Sequence, residues 1–435
     1  MTLDLVANGE EVVRIRGIAS DGAGVGDLPD GRTVFVPRTA PGDEVRIRVT
    51  KLKPRWARGQ VVEVISPSSD RTEPLCPRYD ECGGCALQHI PYGDQLSWKI
   101  RFVHDALQRI AHLDLAPVSM CASPSSYHYR SRVTFTLLRL SGGRVVSGFH
   151  GLNKPDRIVD VADRCVLPTL AISGVWADLR LTWGDGARRL PSGRQLRLTL
   201  RQVDEGVVLL VQGGKGPGRA DILLKEIDGL VAVWMTMPGG GSRLLGGIAD
   251  VQDTRLGEIL RASPTAFTQV NDAAASALHQ CVLDEALSSS VHLVVDAYCG
   301  TGLYGRKIAR LGHRSMGIEL NAEAARAASE DAPKGFSVLR GAVEHRLSEA
   351  LPSDVVILNP PRAGVDEQVT DLLRKNGPPK VIYVSCDPAT LARDLVRLGS
   401  TYDVSRVHAF DLFPQTPHVE VLAILQRTAA PTAVG

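Results

Sequence analysis

From about residue 270 onward the chain repeats one unit, a short apolar strand followed by a helical stretch. The strands read as Leu293 to Asp296, Ser315 to Glu319, Val355 to Leu358 and Val381 to Ser385. Apolar runs alternating with helices are the signature of a doubly wound α/β sheet. Such a sheet binds its ligands at the carboxyl ends of its strands, so chemistry is expected there. The first strand runs into Asp296-Ala297-Tyr298-Cys299-Gly300-Thr301-Gly302-Leu303-Tyr304-Gly305. Glycines in that turn let backbone amides approach a ligand closely. The second strand ends in Glu319, an acid about 20 residues further on and able to bind both ribose hydroxyls of an adenosine. No full G-x-G-x-x-G is present, so S-adenosylmethionine fits the turn better than a dinucleotide.

Two later strand ends face the same crevice. Leu358-Asn359-Pro360-Pro361-Arg362 is a stiff loop in which Pro361 keeps its predecessor extended and Asn359 offers a donor and an acceptor. Val384-Ser385-Cys386-Asp387-Pro388 sets a thiol at a strand end, a candidate nucleophile. His418-Val419-Glu420 precedes the last apolar strand, Val421 to Leu425. Glu420 is a candidate general base if its pKa is raised. Taken singly, these are a strand-to-helix turn, a buried inert cysteine and a surface charge.

The chain's 435 residues exceed one core and point to about three domains. The N-terminus does not read as a signal peptide, and no apolar run approaches the roughly 20 residues of a membrane span. A cytoplasmic protein without a membrane partner is expected, and nothing in the sequence implies an obligate protein partner. In a reducing compartment the eight cysteines read as metal ligands or nucleophiles rather than disulfides. Cys76, Cys82 and Cys85 are closely spaced around Gly83-Gly84, and Cys165 can supply a fourth thiolate. Four thiolates suit zinc or an iron–sulfur cluster, and spacing does not decide between them. Cys121 and Cys281 read as buried structural residues, and Cys299 is given no chemistry.

Residues 1–66 read as a small β-barrel, with alternating strands at Val12 to Arg16, Thr33 to Val36, Val45 to Val49 and Val61 to Ile65. Between Val45 and Val62 there is no acid, while Arg46, Arg48, Lys51, Lys53, Arg55 and Arg58 accompany Trp56. Cations beside an aromatic suit a phosphate backbone with a stacked base; the bland alternative is a solvated edge. Residues 67–265 read as a β-rich central domain holding the metal site. Within it a helix over 93–113, with Leu96, Ile100, Val103, Leu107 and Ile110 on one stripe, is placed to pack on the C-terminal domain. Residues 266–435 read as a Rossmann-like α/β domain carrying the S-adenosylmethionine turn.

The barrel resembles a TRAM domain, an RNA-binding module, through Asp21-Gly22-Ala23-Gly24-Val25-Gly26 and Pro41-Gly42-Asp43-Glu44-Val45. The chain as a whole resembles the RNA 5-methyluridine methyltransferases, with motifs in matching order over nearly its full length. In that likeness Cys76, Cys82, Cys85 and Cys165 hold a [4Fe-4S] cluster. Gln269, in Phe267-Thr268-Gln269-Val270-Asn271, contacts S-adenosylmethionine, as do Tyr298, Glu319 and Asn359. Cys386 is the nucleophile toward uracil C6, and Glu420 removes the C5 proton. Many members carry Asp-Pro-Pro-Arg where this chain has Asn359-Pro360-Pro361-Arg362, so Asn359 loses a charge at a cofactor contact. The implied substrate is structured RNA, ribosomal (23S) RNA first and transfer RNA second. Three other readings share single motifs. An amino-group methyltransferase would want an aromatic where Arg362 stands. A radical enzyme would want C-x3-C-x2-C. A non-catalytic RNA-binding protein would have no use for Cys386 and Glu420.

Overall fold

The computed structural model describes residues 9–428 apart from 115–116, 163–164, 240, 262–264, 266–267 and 288–290. Phe267 of the Phe-x-Gln-Val-Asn motif therefore lies outside the described residues.

The N-terminal strands close into a barrel in the order Glu10–Ile18, Gly24–Asp27, Thr33–Val36, Trp56–Ser66, Glu44–Leu52. Alternation puts Val13, Ile15, Val34, Val36, Val45, Ile47 and Val49 inside, all essentially without solvent contact. The strand Gly24–Asp27 is read from sequence only as glycine punctuation. It pairs with Glu10–Ile18 and Thr33–Val36 because a Cβ on Gly24 would lie 2.0 Å from the Thr39 hydroxyl. Only glycine lets the strand come that close.

The central region holds a seven-stranded sheet running from Ser242–Gly247 at one edge through Gln195–Val203 to Lys154–Asp160 at the other. It is not purely β. Helices Leu170–Thr182 and Ala220–Glu226 contribute to its core, where Trp176 stacks on Phe135 with ring centroids 4.1 Å apart. Cys82 bridges to Gly151 of this sheet, so the cysteine loop leans on it.

The C-terminal sheet has eight strands, in the order Phe336–Arg340, Arg314–Glu319, Leu293–Ala297, Val355–Leu358, Lys380–Ser385, Glu420–Arg427, Tyr402–Phe410, Ser119–Cys121. The first five run parallel, and Glu420–Arg427 returns antiparallel to Lys380–Ser385. Helices Asp272–Ala286 and Leu303–Arg310 pack on one face with Ile357, Ile382, Val384, Leu422 and Ile424. The other face carries Tyr383, Val381 and Val421 under helices Glu367–Asn376 and Pro388–Leu398. The edge strand Ser119–Cys121 precedes the central sheet in sequence yet completes this one.

Helix Tyr92–Ile110 packs against Pro388–Leu398. It ends earlier than the periodicity implies, and its buried face differs from the expected stripe. Gln95, Lys99, Phe102, Val103 and Leu107 are buried, whereas Ile110 is exposed. The reason is polar: Lys99 pairs with Asp411 at 2.6 Å, both fully buried, and Gln95 bonds Gln415. No helix among the described residues is long and apolar enough to cross a membrane.

Candidate active site

The strand Lys380–Ser385 ends at Ser385, whose ladder partner is Val421. Cys386 directly follows this strand, Glu420 directly precedes Val421, and the Glu420 charge acts on the Cys386 thiol. Alternation gives Glu420 the face of Leu422 and Ile424, which pack with Ile382 and Val384. Asp387 then caps the next helix: its side chain accepts from the Thr390 amide at 2.9 Å, and Pro388 opens the helix. Cys386 thus sits at a helix N-terminus, whose dipole favours a thiolate.

Burial and the Glu420 charge push the Cys386 thiol up, while the Arg362 guanidinium pulls it down. Glu420 is only 4 % exposed. Burial pushes its carboxyl up to about 8, opposed by a hydrogen bond with Gln269 and by Arg362. It is no surface charge; it is a carboxyl held where it can both accept and release a proton near neutral pH. Gln269, read from sequence as a cofactor contact, is here the hydrogen-bond partner of Glu420, and its buried Oε1 has no partner. Asn271 of the same motif caps helix Asp272–Ala286 and donates to Ser123 Oγ at 2.9 Å.

The glycine turn lies at the neighbouring strand ends. Tyr298 follows Leu293–Ala297 with φ 66°, a left-handed backbone that a bulky residue adopts only under constraint. Glu319 accepts from the Gly300 amide at 2.9 Å and the Asn321 amide at 2.6 Å. Each carboxylate oxygen keeps a second lone pair for a ligand hydroxyl. Asp296 is 1 % exposed, neither of its carboxylate oxygens has a hydrogen-bond partner, and burial pushes it up to about 7. Next to it the buried Tyr304 hydroxyl is also unpartnered. Together, an adenosine-binding acid, a left-handed turn and orphaned buried polar atoms fit a bound S-adenosylmethionine. Asn359 stands at the adjoining strand end, its amide 3.5 Å from the Ala297 carbonyl.

Sequence reasoning missed Arg362 and Tyr304 as members of this crevice. Arg362 had a signal in the Pro-Pro-Arg loop. Tyr304 had none beyond its place in the glycine turn.

The four cysteines come together elsewhere. Cys76, Cys82, Cys85 and Cys165 line one cavity of about 170 Å³ with Arg130, Tyr79 and Phe149, and none forms a disulfide. Among the described residues no three His, Cys, Asp or Glu side chains converge tightly enough to hold a single metal ion. Thiolates on one zinc, at about 2.3 Å from it, would lie roughly 3.8 Å from each other. A cubane cluster spreads its four thiolates over separate irons and needs a void between them. The cavity and the Arg130 cation fit an anionic cluster better than a lone ion. Cys121 and Cys281, expected to be buried, are partly buried against the core, and Cys299 is buried.

A doubly wound sheet with a donor-binding glycine turn, a paired thiol and carboxyl at its strand ends, and an appended barrel defines a methyltransferase that works on a large substrate. Comparison with known proteins narrows this. Residues 343–428 match the tRNA (uracil-5-)methyltransferase family and residues 8–62 match the TRAM domain. An uncharacterised RNA methyltransferase of Thermosynechococcus vestitus is 33 % identical over 95 % of this chain and 97 % of its own. One from Gloeobacter violaceus is 33 % identical over 96 % of each chain. The crystal structure of the Pyrococcus abyssi tRNA (uracil-54, C5)-methyltransferase with S-adenosyl-L-homocysteine aligns with a TM-score of 0.74 and 25 % identity, covering 95 % of this chain and 100 % of that one. The chain belongs to the RNA (uracil-5-)methyltransferase family.

Proposed function

We propose that this enzyme methylates C5 of one uridine in a structured RNA through a covalent adduct between Cys386 and C6 of the base. The observation that carries the reading is Cys386 directly after strand Lys380–Ser385 and Glu420 at the start of its ladder neighbour Glu420–Arg427, at the strand ends beside the glycine turn. Bound S-adenosylmethionine supplies an electrophilic methyl group on a sulfonium; Tyr298, Glu319, Asn359 and the free carbonyl of Gln269 are the residues to hold it. The Cys386 thiolate adds to C6, and the C5=C6 electron pair moves onto the C4 carbonyl as an enolate, which makes C5 nucleophilic. After C5 takes the methyl group, whose bond to sulfur breaks to leave S-adenosylhomocysteine, Glu420 would remove the C5 proton. The electron pair reforms C5=C6, and the Cys386 sulfur leaves as a thiolate. Arg362 favours the thiolate at the start and at the end. The uracil must be unstacked to enter.

The four cysteines hold a [4Fe-4S] cluster in this reading, on the strength of their shared cavity. The appended barrel favours 23S ribosomal RNA as substrate. A second reading, transfer RNA, is favoured by the archaeal neighbour, which acts on uracil-54 of tRNA. Mapping 5-methyluridine in both RNAs from cells lacking the enzyme separates the two. The chemistry is tested with RNA carrying 5-fluorouridine, which cannot lose a proton from C5. The wild type is expected to form an adduct stable to denaturation. Cys386→Ala is expected to form none and to bind S-adenosylmethionine normally. A Cys386→Ala enzyme with near-normal turnover would refute the thiol mechanism.

A further inference from the structure

The segment between the last two long strands, residues 411–419, has no regular secondary structure yet is mostly buried. Its backbone polar groups must be satisfied from outside, and they are met from three directions. Lys99 donates to the Phe413 carbonyl at 3.1 Å. The Tyr129 hydroxyl donates to the Pro414 carbonyl at 2.9 Å. The Gln415 carbonyl accepts both the Ala86 amide, at 2.9 Å, and the Leu87 amide, at 3.1 Å. Those two residues directly follow Cys85.

Gln415 is the most constrained point. It is 2 % exposed and its φ is 68°, a left-handed backbone that strains a non-glycine residue. Glycine would avoid the strain, but glycine has no side-chain amide. The Gln415 amide is used: Gln95 Nε2 donates to Gln415 Oε1 at 2.9 Å, and the Gln415 backbone amide donates to Gln95 Oε1 at 3.0 Å. Gln95 also donates to the Leu87 and Ile90 carbonyls at 3.0 and 2.8 Å. A helix, the cysteine loop and this segment are thus joined at one residue. The chain then needs five residues to reach Glu420. Thr416 stiffens that stretch by donating to the Phe413 carbonyl at 2.8 Å, and Val419 is buried.

We propose that Gln415 is a positioning residue for Glu420, registering the base-bearing strand against the cysteine loop and Gln95 so that the carboxyl reaches the C5 proton. The inference rests on Glu420 being the base of a covalent mechanism. Misplacing Glu420 slows loss of the C5 proton, and with it elimination of the Cys386 sulfur, far more than it changes thiolate addition or methyl transfer. Adduct formation and adduct breakdown therefore separate, which a general loss of structure does not do.

The deciding variant is Gln415→Gly, because glycine accepts the left-handed backbone and keeps the carbonyl that receives Ala86 and Leu87. Gln95→Met removes both bonds to Gln415 from the other side, together with those to the Leu87 and Ile90 carbonyls. With natural RNA and S-adenosylmethionine, rapid quenching and denaturing gels give the rates of adduct formation and breakdown. Both variants are expected to form adduct within about twofold of the wild-type rate and to resolve it about tenfold more slowly, with KM for RNA unchanged, since small misplacements of a catalytic group cost one to two orders of magnitude. Wild-type breakdown rates in both variants would overturn the proposal and leave the mechanism standing. A wild-type enzyme that forms no adduct on 5-fluorouridine RNA would overturn the mechanism and this proposal with it.

Discussion

At the scale of single residues, one carboxyl and one guanidinium govern one thiol. A Glu420 carboxylate beside Cys386 disfavours a second negative charge, and Glu420 is itself pushed up to about 8 by burial. The pair therefore titrates together, and near neutral pH Glu420 is mostly protonated, which eases ionisation of the thiol. Once the thiol has become a thioether, that negative charge is gone, and Glu420 is free to ionise and act as a base. A sign follows. Glu420 raises the Cys386 pKa only where Glu420 is charged, above about pH 8. Glu420→Gln removes this effect, so the midpoint of iodoacetamide alkylation of Cys386 against pH is expected to move to lower pH. An unchanged or higher midpoint would mean that Glu420 does not face the thiol. Arg362 acts in the opposite sense, and Arg362→Met is expected to move the midpoint up.

At the scale of elements, the basic stretch of the barrel divides into two groups. Arg46 pairs with Glu63 at 3.3 Å, Arg48 with Glu10 at 2.8 Å and Arg58 with Asp21 at 3.1 Å. Lys51, Lys53 and Arg55 are exposed around the hairpin tip, and Lys51 lies 5.4 Å over the Trp56 ring. The tip, not the strands, is expected to be the face for RNA. Replacing Lys51, Lys53 and Arg55 together by Gln is expected to flatten the log–log salt dependence of RNA binding by about 2–3 units, close to one per phosphate contact. The same change at Arg46, Arg48 and Arg58 is expected to flatten it much less. Equal effects from both triples would return the whole stretch to a uniform basic surface. This division was not legible in the sequence, because the acids that neutralise three of the arginines lie up to 38 residues away. Local patterns were legible where local physics sets the outcome. Alternation marked four barrel strands, and apolar runs marked four of the five parallel strands but not Phe336–Arg340. The apolar run from Val381 to Val384 put Cys386 at a strand end. Long-range polar bolts were hidden. Gln95 and Lys99 read as the wet side of a helix until Asp411 and Gln415, more than 300 residues on, are seen to need them.

At the scale of the whole molecule, the cysteine loop is the hub between RNA capture and chemistry. On one side it meets Gln415. On the other, Arg38 reaches out of the barrel to donate to the carbonyls of Cys85 at 2.5 Å, Cys82 at 2.7 Å and Tyr79 at 2.8 Å, with its guanidinium 3.7 Å over the Tyr79 ring. Arg38 also holds a left-handed backbone, φ 70°, and beside it Arg71 of the linker pairs with the fully buried Asp43 at 2.5 Å. The barrel is therefore docked onto carbonyls whose positions depend on the order of the loop that carries three of the four cysteines. A cluster bound by Cys76, Cys82, Cys85 and Cys165 would crosslink this loop and fix those carbonyls. Protein purified without oxygen is expected to contain iron and acid-labile sulfide, and Cys85→Ser to lose both. Loss of the crosslink should also free Arg38, undock the barrel and expose Arg71. Trypsin cleavage after Arg71 is then expected to run several-fold faster in Cys85→Ser than in the wild type, because cleavage reports local opening. Cleavage at the wild-type rate in a variant that has lost its iron would show that the loop holds the barrel unaided. One equivalent of zinc without sulfide in the wild type would replace the cluster by a zinc site, while leaving the same loop between the barrel and the base.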